Sequence, residues 1–353
     1  MKPNEFHRYA KPLLDERKLD LLLITKIVNV QYLTGFTGSS GFVVVDEKGC
    51  LFLTDPRYTE QAKRECTGWE VEEIRGVKLS HWLKARYSPS RVGVDEWVYA
   101  GSLERMKKEL DSAEFEVVFN VVEPLRVKKH EWELERIKTA LAVAEEAFTE
   151  TLEYVKPGVM ERDLALELEF RMRRKGAKSA SFDIIVASGY RSSLPHGVAS
   201  SKRIKEGELI LFDFGCVYEG YCSDITRVVK LGRVLEEEKR IWRIVVDALE
   251  SAVIGVKEGM QASQLHGIAQ SVIEEAGFGR FFGHGLGHGV GREIHEAPSI
   301  SPLSEDRIER GAVFTVEPGI YLPSRFGVRI EDMIYMGGEP EVLTTLYREI
   351  VEL

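Results

Sequence analysis

No apolar run approaches the roughly 20 residues that a membrane-spanning helix takes. The opening stretch, Met1-Lys2-Pro3-Asn4-Glu5-Phe6-His7-Arg8, is polar and lacks the apolar core of a secretory signal. Cysteine is scarce: four residues in 353, Cys50, Cys66, Cys216 and Cys222, with neither zinc-ribbon nor disulfide-framework spacing. A reducing cytoplasm is the expected setting. Positive charge is in deficit too. A net charge of −9 argues against nucleic acid as a partner. The Gly-rich run Gly283-His284-Gly285-Leu286-Gly287-His288-Gly289 has no Gly-Lys-Ser/Thr, so it is not a phosphate loop. Close approach of backbone to a charged site explains its glycines better.

What the chain does have is a set of acids in ordered surroundings. Asp213, Asp224, His288, Glu317 and Glu331 each fall at a strand end or in a Gly-rich turn. Their segments are Leu211-Phe212-Asp213-Phe214-Gly215, Ser223-Asp224-Ile225-Thr226-Arg227, Gly287-His288-Gly289, Thr315-Val316-Glu317-Pro318-Gly319 and Val328-Arg329-Ile330-Glu331-Asp332. A lone buried Asp is more often a cap or an ion-pair partner than a metal ligand. Five such positions together reverse that reading. Four carboxylates and one imidazole form a hard, oxygen-rich set that suits Mn, Co, Fe or Zn, with enough charge to balance two divalent ions. Dinuclear sites of this kind commonly activate a bridging water for hydrolysis.

Length implies two domains, and the chain divides near residue 125. Residues 1–124 read as an α/β domain. Leu21–Ile24, Gly41–Asp46 and Cys50–Thr54 have strand character, and Arg57–Cys66 and Ser102–Leu110 look helical. Residues 125–353 open on a long helix whose apolar positions Ile137, Leu141, Ala144, Phe148, Leu152 and Val155 step by three or four, stopped by Pro157-Gly158. This second domain repeats itself. Val155-Lys156-Pro157-Gly158-Val159 is echoed 101 residues later by Val256-Lys257-Glu258-Gly259-Met260. The next helices end at Lys175-Gly176-Ala177 and Ala276-Gly277-Phe278, again 101 apart. Leu209–Gly215 is loosely matched by Val313–Gly319, so each copy carries two acids, and His196 and His295 fall at comparable places.

These motifs together resemble the pita-bread metallopeptidases, the family of methionine aminopeptidase, aminopeptidase P and prolidase. The resemblance rests on Asp213, Asp224 after ten intervening residues, His288 in Gly-His-Gly-Val-Gly, His295 seven residues on, Glu317 in Glu-Pro-Gly and Glu331 in Arg-Ile-Glu-Asp. It implies an N-terminal α/β domain of creatinase type followed by an internally duplicated pita-bread α+β catalytic domain. It further implies two divalent metal ions, Mn or Co before Fe or Zn. Asp213, Asp224, His288, Glu317 and Glu331 would be the ligands, with Asp224 and Glu331 bridging. His196, His295 and Glu317 would be the catalytic groups, and His284, Tyr321 and Arg329 would support substrate. A homodimer is implied as well.

Within the family, Tyr32–Gly41 and Leu53–Ala62 resemble the N-terminal domain of aminopeptidase P. His295-Glu296-Ala297-Pro298-Ser299-Ile300 has no arginine after the proline, where some prolidases carry one for the dipeptide carboxylate. The expectation is therefore an Xaa-Pro aminopeptidase acting on peptides with proline second. The alternative is an Xaa-Pro dipeptidase, and a non-catalytic binding protein on the same fold is the reading from another class. Cys216 and Cys222, beside the Asp213–Asp224 segment, are expected to be small buried residues.

Overall fold

The structure, a computed structural model, describes residues 1–76 and 78–353. The backbone gathers into two compact units, Met1–Pro124 and Leu125–Leu353. No helix among the described residues is long and apolar enough to cross a membrane.

The first unit is built on a six-stranded mixed sheet. Its order is Glu70–Glu73, Cys50–Thr54, Phe42–Asp46, Leu21–Ile24, Arg91–Asp95 and Glu114–Val118. Leu21–Ile24 is buried at every position, as a central strand covered on both faces must be. It pairs antiparallel with Phe42–Asp46 and parallel with Arg91–Asp95. Leu21, Leu23, Val44, Leu53, Leu83, Val92 and Val94 form one apolar core.

The second unit is two copies of one plan. Each copy contributes a pair of helices: Glu131–Thr151 with Glu161–Arg174, then Glu236–Gly255 with Ala262–Glu275. The second helices of the pairs are 101 residues apart at both ends. Their connections match as well. Gly158 N–H donates to Ile204 O, and Gly259 N–H to Ile308 O. The guanidinium of Arg203 donates to Gly158 O, and that of Arg307 to Gly259 O. The spacing of this arginine pair is 104 rather than 101, so the repeat has slipped by three residues before the strands begin.

Two sheets carry the site. One has the order Val351–Glu352, Ile225–Lys230, Leu209–Phe214 and Ile185–Ser188. The other has the order Glu296–Ile300, Gly287–Gly289, Val313–Val316, Asp332–Met336 and Pro340–Val342. Strand alternation then sorts the side chains. Ile210, Phe212 and Phe214 go into a core with the first helix pair, which turns Asp213 to the other face. Phe314 and Val316 go into a core with the second pair, which turns Thr315 away. Phe148 of the long helix stacks on Phe214 at 4.9 Å between ring centres. Truncating such a buried ring to Ala costs about 3–5 kcal/mol. That helix ends at Thr151, and Leu152–Tyr154 tightens into a 3₁₀ turn, so the apolar stripe outlasts the α-helix by one turn.

Candidate metal and catalytic site

The five candidate ligands come from the inner ends of the two sheets. Asp213 lies within Leu209–Phe214, opposite Thr226 in the ladder. Asp224 immediately precedes Ile225–Lys230, and His288 is the middle residue of Gly287–Gly289. Glu317 follows Val313–Val316, and Glu331 precedes Asp332–Met336. The sheets are joined at this point. Glu331 N–H donates to Thr226 O at 3.2 Å. Arg227 donates to Glu331 O at 2.6 Å and pairs with Asp332 at 2.7 Å. Both charged side chains are buried, so the pair acts as a bolt behind the site.

Glycine lets the imidazole strand fit. A Cβ at Gly287 would lie 2.0 Å from Thr315 O, and one at Gly289 would lie 2.1 Å from Ala297 O. Neither overlap with backbone can be relieved, so His288 is flanked by the one residue type that allows the pairing.

One ligand atom each of Asp224, His288 and Glu331 lies within 4.8 Å of the others. His288 Nε2 is 3.5 Å from Asp224 and 3.7 Å from Glu317. Its Nδ1 sits 3.1 Å from Gly289 O. A carbonyl only accepts, so the proton belongs on Nδ1 and the Nε2 lone pair faces the acids. The same rule gives His284 a different task. Its Nδ1 donates to Gly285 O at 2.7 Å, and its Nε2 accepts from Tyr321 Oη–H at 2.9 Å. That lone pair is already taken.

Arg329 is the cation of the site, and each of its three nitrogens has a partner. It donates to Thr226 Oγ1 at 3.0 Å, to Pro195 O at 3.1 Å and to Tyr321 Oη at 2.8 Å, and it pairs with Asp213. One guanidinium does not balance four carboxylates. Burial, with Glu331, Asp213 and Glu317 nearby, pushes Asp224 well above the usual carboxylate range. Burial and the neighbouring Glu317 and Asp213 do the same to Glu331. Glu317 rises to about 8, chiefly through burial, against the pull of Arg329. Burial also raises Asp213, which Arg329 opposes. Burial, then His295, lowers His288 to about 4, so its imidazole is neutral at pH 7. The residues therefore fit divalent ions: crowded hard oxygens short of positive charge, with one imidazole lone pair turned toward them.

A cavity of about 260 Å³ gathers seven of these site residues, Asp213, Asp224, His284, His288, Glu317, Arg329 and Glu331, with His295 and His196; Tyr321 is outside its lining and bonds His284 and Arg329. The rings of His288 and His295 meet edge to face, 4.3 Å apart. His196 and His295 are exposed at its edge. Phe182, Ile185, Val198 and Ile294 supply apolar surface. None of these four is marked as a site residue by the sequence pattern, and neither is Thr226, whose hydroxyl donates to Glu331 at 2.7 Å. The position of Thr226 two residues after Asp224, on the same strand face, was the available signal. Cys216 and Cys222 are buried free thiols; Cys216 donates to Ala140 O.

A model of metallopeptidase family M24 matches residues 135–337, and one of the creatinase/prolidase N-terminal domain matches residues 9–128. The chain is 38% identical over 351 residues to the Xaa-Pro dipeptidase of Pyrococcus horikoshii, covering 99% of both. It superposes with a TM-score of 0.93 on the structure of an Xaa-Pro dipeptidase from Bacillus anthracis, at 39% identity and 99% coverage of both chains. An X-Pro aminopeptidase structure from Thermotoga maritima gives 0.89 at 39% identity, over 95% of this chain and 98% of that one.

Proposed function

This chain belongs to metallopeptidase family M24, and we propose that it hydrolyses the bond between an N-terminal residue and a following proline, with the free Xaa-Pro dipeptide as a principal substrate. The sequence alone put the aminopeptidase first. The full-length likeness to Xaa-Pro dipeptidases supports the dipeptide reading better. The aminopeptidase stays as the second reading. It is favoured by the Thermotoga maritima relative and by the cavity, where Arg329 is the one Lys or Arg among the lining residues and already has a partner on each nitrogen.

The observation that carries the proposal is the cavity itself, where crowded acids and imidazoles share a space with Phe182, Ile185, Val198 and Ile294. A prolyl nitrogen has no N–H to satisfy, and its ring fixes the local backbone. Apolar surface beside the acids suits that ring. Asp213, Asp224, His288, Glu317 and Glu331 would hold two divalent ions, Mn or Co before Fe or Zn. Bound there, such ions lower the pKa of water and polarise a carbonyl. Glu317 takes the proton of the attacking water and passes it toward the prolyl nitrogen as the C–N bond breaks. His295 and His196, at the cavity edge, donate to charge that develops on the scissile peptide. Tyr321 and His284 hold Arg329, and Arg329 holds Asp213. A homodimer and a cytoplasmic setting remain part of the proposal.

The test is hydrolysis of Leu-Pro and Leu-Ala by Mn- or Co-loaded protein, with and without chelator. Chelator-sensitive cleavage of Leu-Pro in preference to Leu-Ala is expected. Faster cleavage of Met-Ala-Yaa than Met-Pro-Yaa would make methionine aminopeptidase the better reading. No cleavage at all by a protein that holds its metal would favour a binding protein.

A further inference from the structure

A second cavity, about 610 Å³, adjoins the first, and Phe182, Asp183 and Val198 line both. Its charge differs from that of the catalytic cavity. The one cation among its lining residues is Arg162, second residue of the helix Glu161–Arg174. The Arg162 side chain is 55% exposed, and its ion pair is with its own neighbour Asp163, at 3.9 Å. Two acids also line the space. Glu169 is held by Arg173 at 2.8 Å, whereas Asp183 is exposed and pairs with no cation among the described residues. Leu166 and Val198 give it exposed apolar surface.

The ground under Arg162 is rigid. Glu161 is buried and accepts from Ser188 N–H, Arg191 and Ser200 Oγ. Arg162 N–H donates to Ser200 O at 2.9 Å. The start of this helix is thus tied to the loop that carries His196 and Val198. A carboxylate that stopped at the junction would meet Asp183. One carried a residue or more further would meet an under-used guanidinium.

We propose that this adjoining cavity receives the residues that follow proline in tripeptides and longer substrates, with Arg162 taking their terminal carboxylate. The inference rests on the Xaa-Pro reading above. Arg162 is a specificity residue here and touches no reacting atom.

Metal-loaded protein and its Arg162→Ala, Arg162→Lys and Arg162→Glu variants would be assayed on Leu-Pro, Leu-Pro-Gly and Leu-Pro-Gly-amide. Arg162→Ala should raise KM for Leu-Pro-Gly roughly fivefold with kcat held, the scale of a half-exposed ion pair. Arg162→Glu should raise it further, and Arg162→Lys should recover part of the loss. Leu-Pro and the amide should respond to none of them. Cleavage of Leu-Pro but not Leu-Pro-Gly by the wild type would overturn the inference and leave the Xaa-Pro reading standing. So would an Arg162→Ala effect that is absent, or equal on all three peptides. If the wild type cuts none of them, the Xaa-Pro reading falls and this inference with it.

Discussion

The helices Glu161–Arg174 and Ala262–Glu275 hold equivalent places in the two repeats, yet the strands beside them bring different groups to the site. The first copy supplies Asp213 from within a strand and Asp224 from just before one. The second supplies Glu317 and Glu331 from strand ends, with His288 added. Their arginines diverge as well. Arg227, three residues after Asp224, turns behind the sheets to Asp332 and Leu346 O. Arg329, two residues before Glu331, turns inward to Asp213. A duplicated scaffold has kept its helices and loop hydrogen bonds while its strand ends took separate tasks. Chemistry here belongs to the ends of the strands, and the fold beneath would tolerate other chemistries.

The strongest way to break that view is to remove one acid from each copy. If the proposed ligand set holds, Asp224→Ala and Glu331→Ala should each lower kcat/KM for Leu-Pro by at least about a thousandfold, because each would strip a proposed ligand from the space between the sheets. Metal content by mass spectrometry should fall in parallel. A variant with near wild-type turnover would mean that one copy suffices.

The two arginines give the next contrast. Arg227→Met leaves the buried Asp332 with Arg348, at 2.7 Å, as its one ion-pair partner among the described residues. Breaking one member of a buried pair costs about 3 kcal/mol or more. Urea unfolding of the metal-free protein should show that loss. If Arg227→Met unfolds at the wild-type midpoint, the bolt between the sheets is not one.

His196 and His295 sit at comparable places in the repeats, and both are exposed at the cavity edge. Each His→Ala variant should keep its metal and lose roughly a hundredfold in kcat, near the lower end of what one lost donor costs. Unequal losses would show which copy faces the leaving proline. Wild-type rates in both, with metal bound, would remove both from the reaction.

The scaffold of this site was more legible than its wiring. The 101-residue echo was visible because Pro-Gly and Lys-Gly stops mark helix ends by local chemistry. The candidate ligands stood out because acids beside glycines at strand ends have few other uses. Thr226 and Arg227 were not, because Thr and Arg on a strand look like ordinary β residues. What distinguishes them is a partner more than 100 residues away, Glu331 for one and Asp332 for the other. Phe182 and Ile294 were lost for a similar reason: an apolar residue signals burial, not which cavity it faces. His284 and His288 have near-identical surroundings, Gly-His-Gly, in the sequence. The hydroxyl of Tyr321 separates them, and only the folded chain brings it there.

The last contrast is between the metal-free and metal-loaded site, read through pH. Glu317 rises to about 8 in the folded, metal-free protein, against an ordinary value of 4.5, mainly because it is buried. Its three carboxylate neighbours move the same way. A group whose folded pKa is raised binds its proton more tightly when folded. Its contribution to stability is full below the unfolded pKa and is lost as pH rises through the folded one. His284 and His288 work in the opposite direction. Both fall to about 4, so their share is lost as pH drops below about 6.5. Between pH 6.5 and 8 the histidines still gain a little, as the unfolded imidazoles give up their last protons, while the raised carboxylates lose more. Glu317 alone should take about 1.5 kcal/mol out of the metal-free protein across that window, and the other raised carboxylates add to it, so the net change is a loss. The loaded protein should lose much less, because ions displace the carboxyl protons. Chemical denaturation at the two pH values, with and without Mn, measures both. A metal-free protein that gains stability across the window would mean that its acids are not crowded as described.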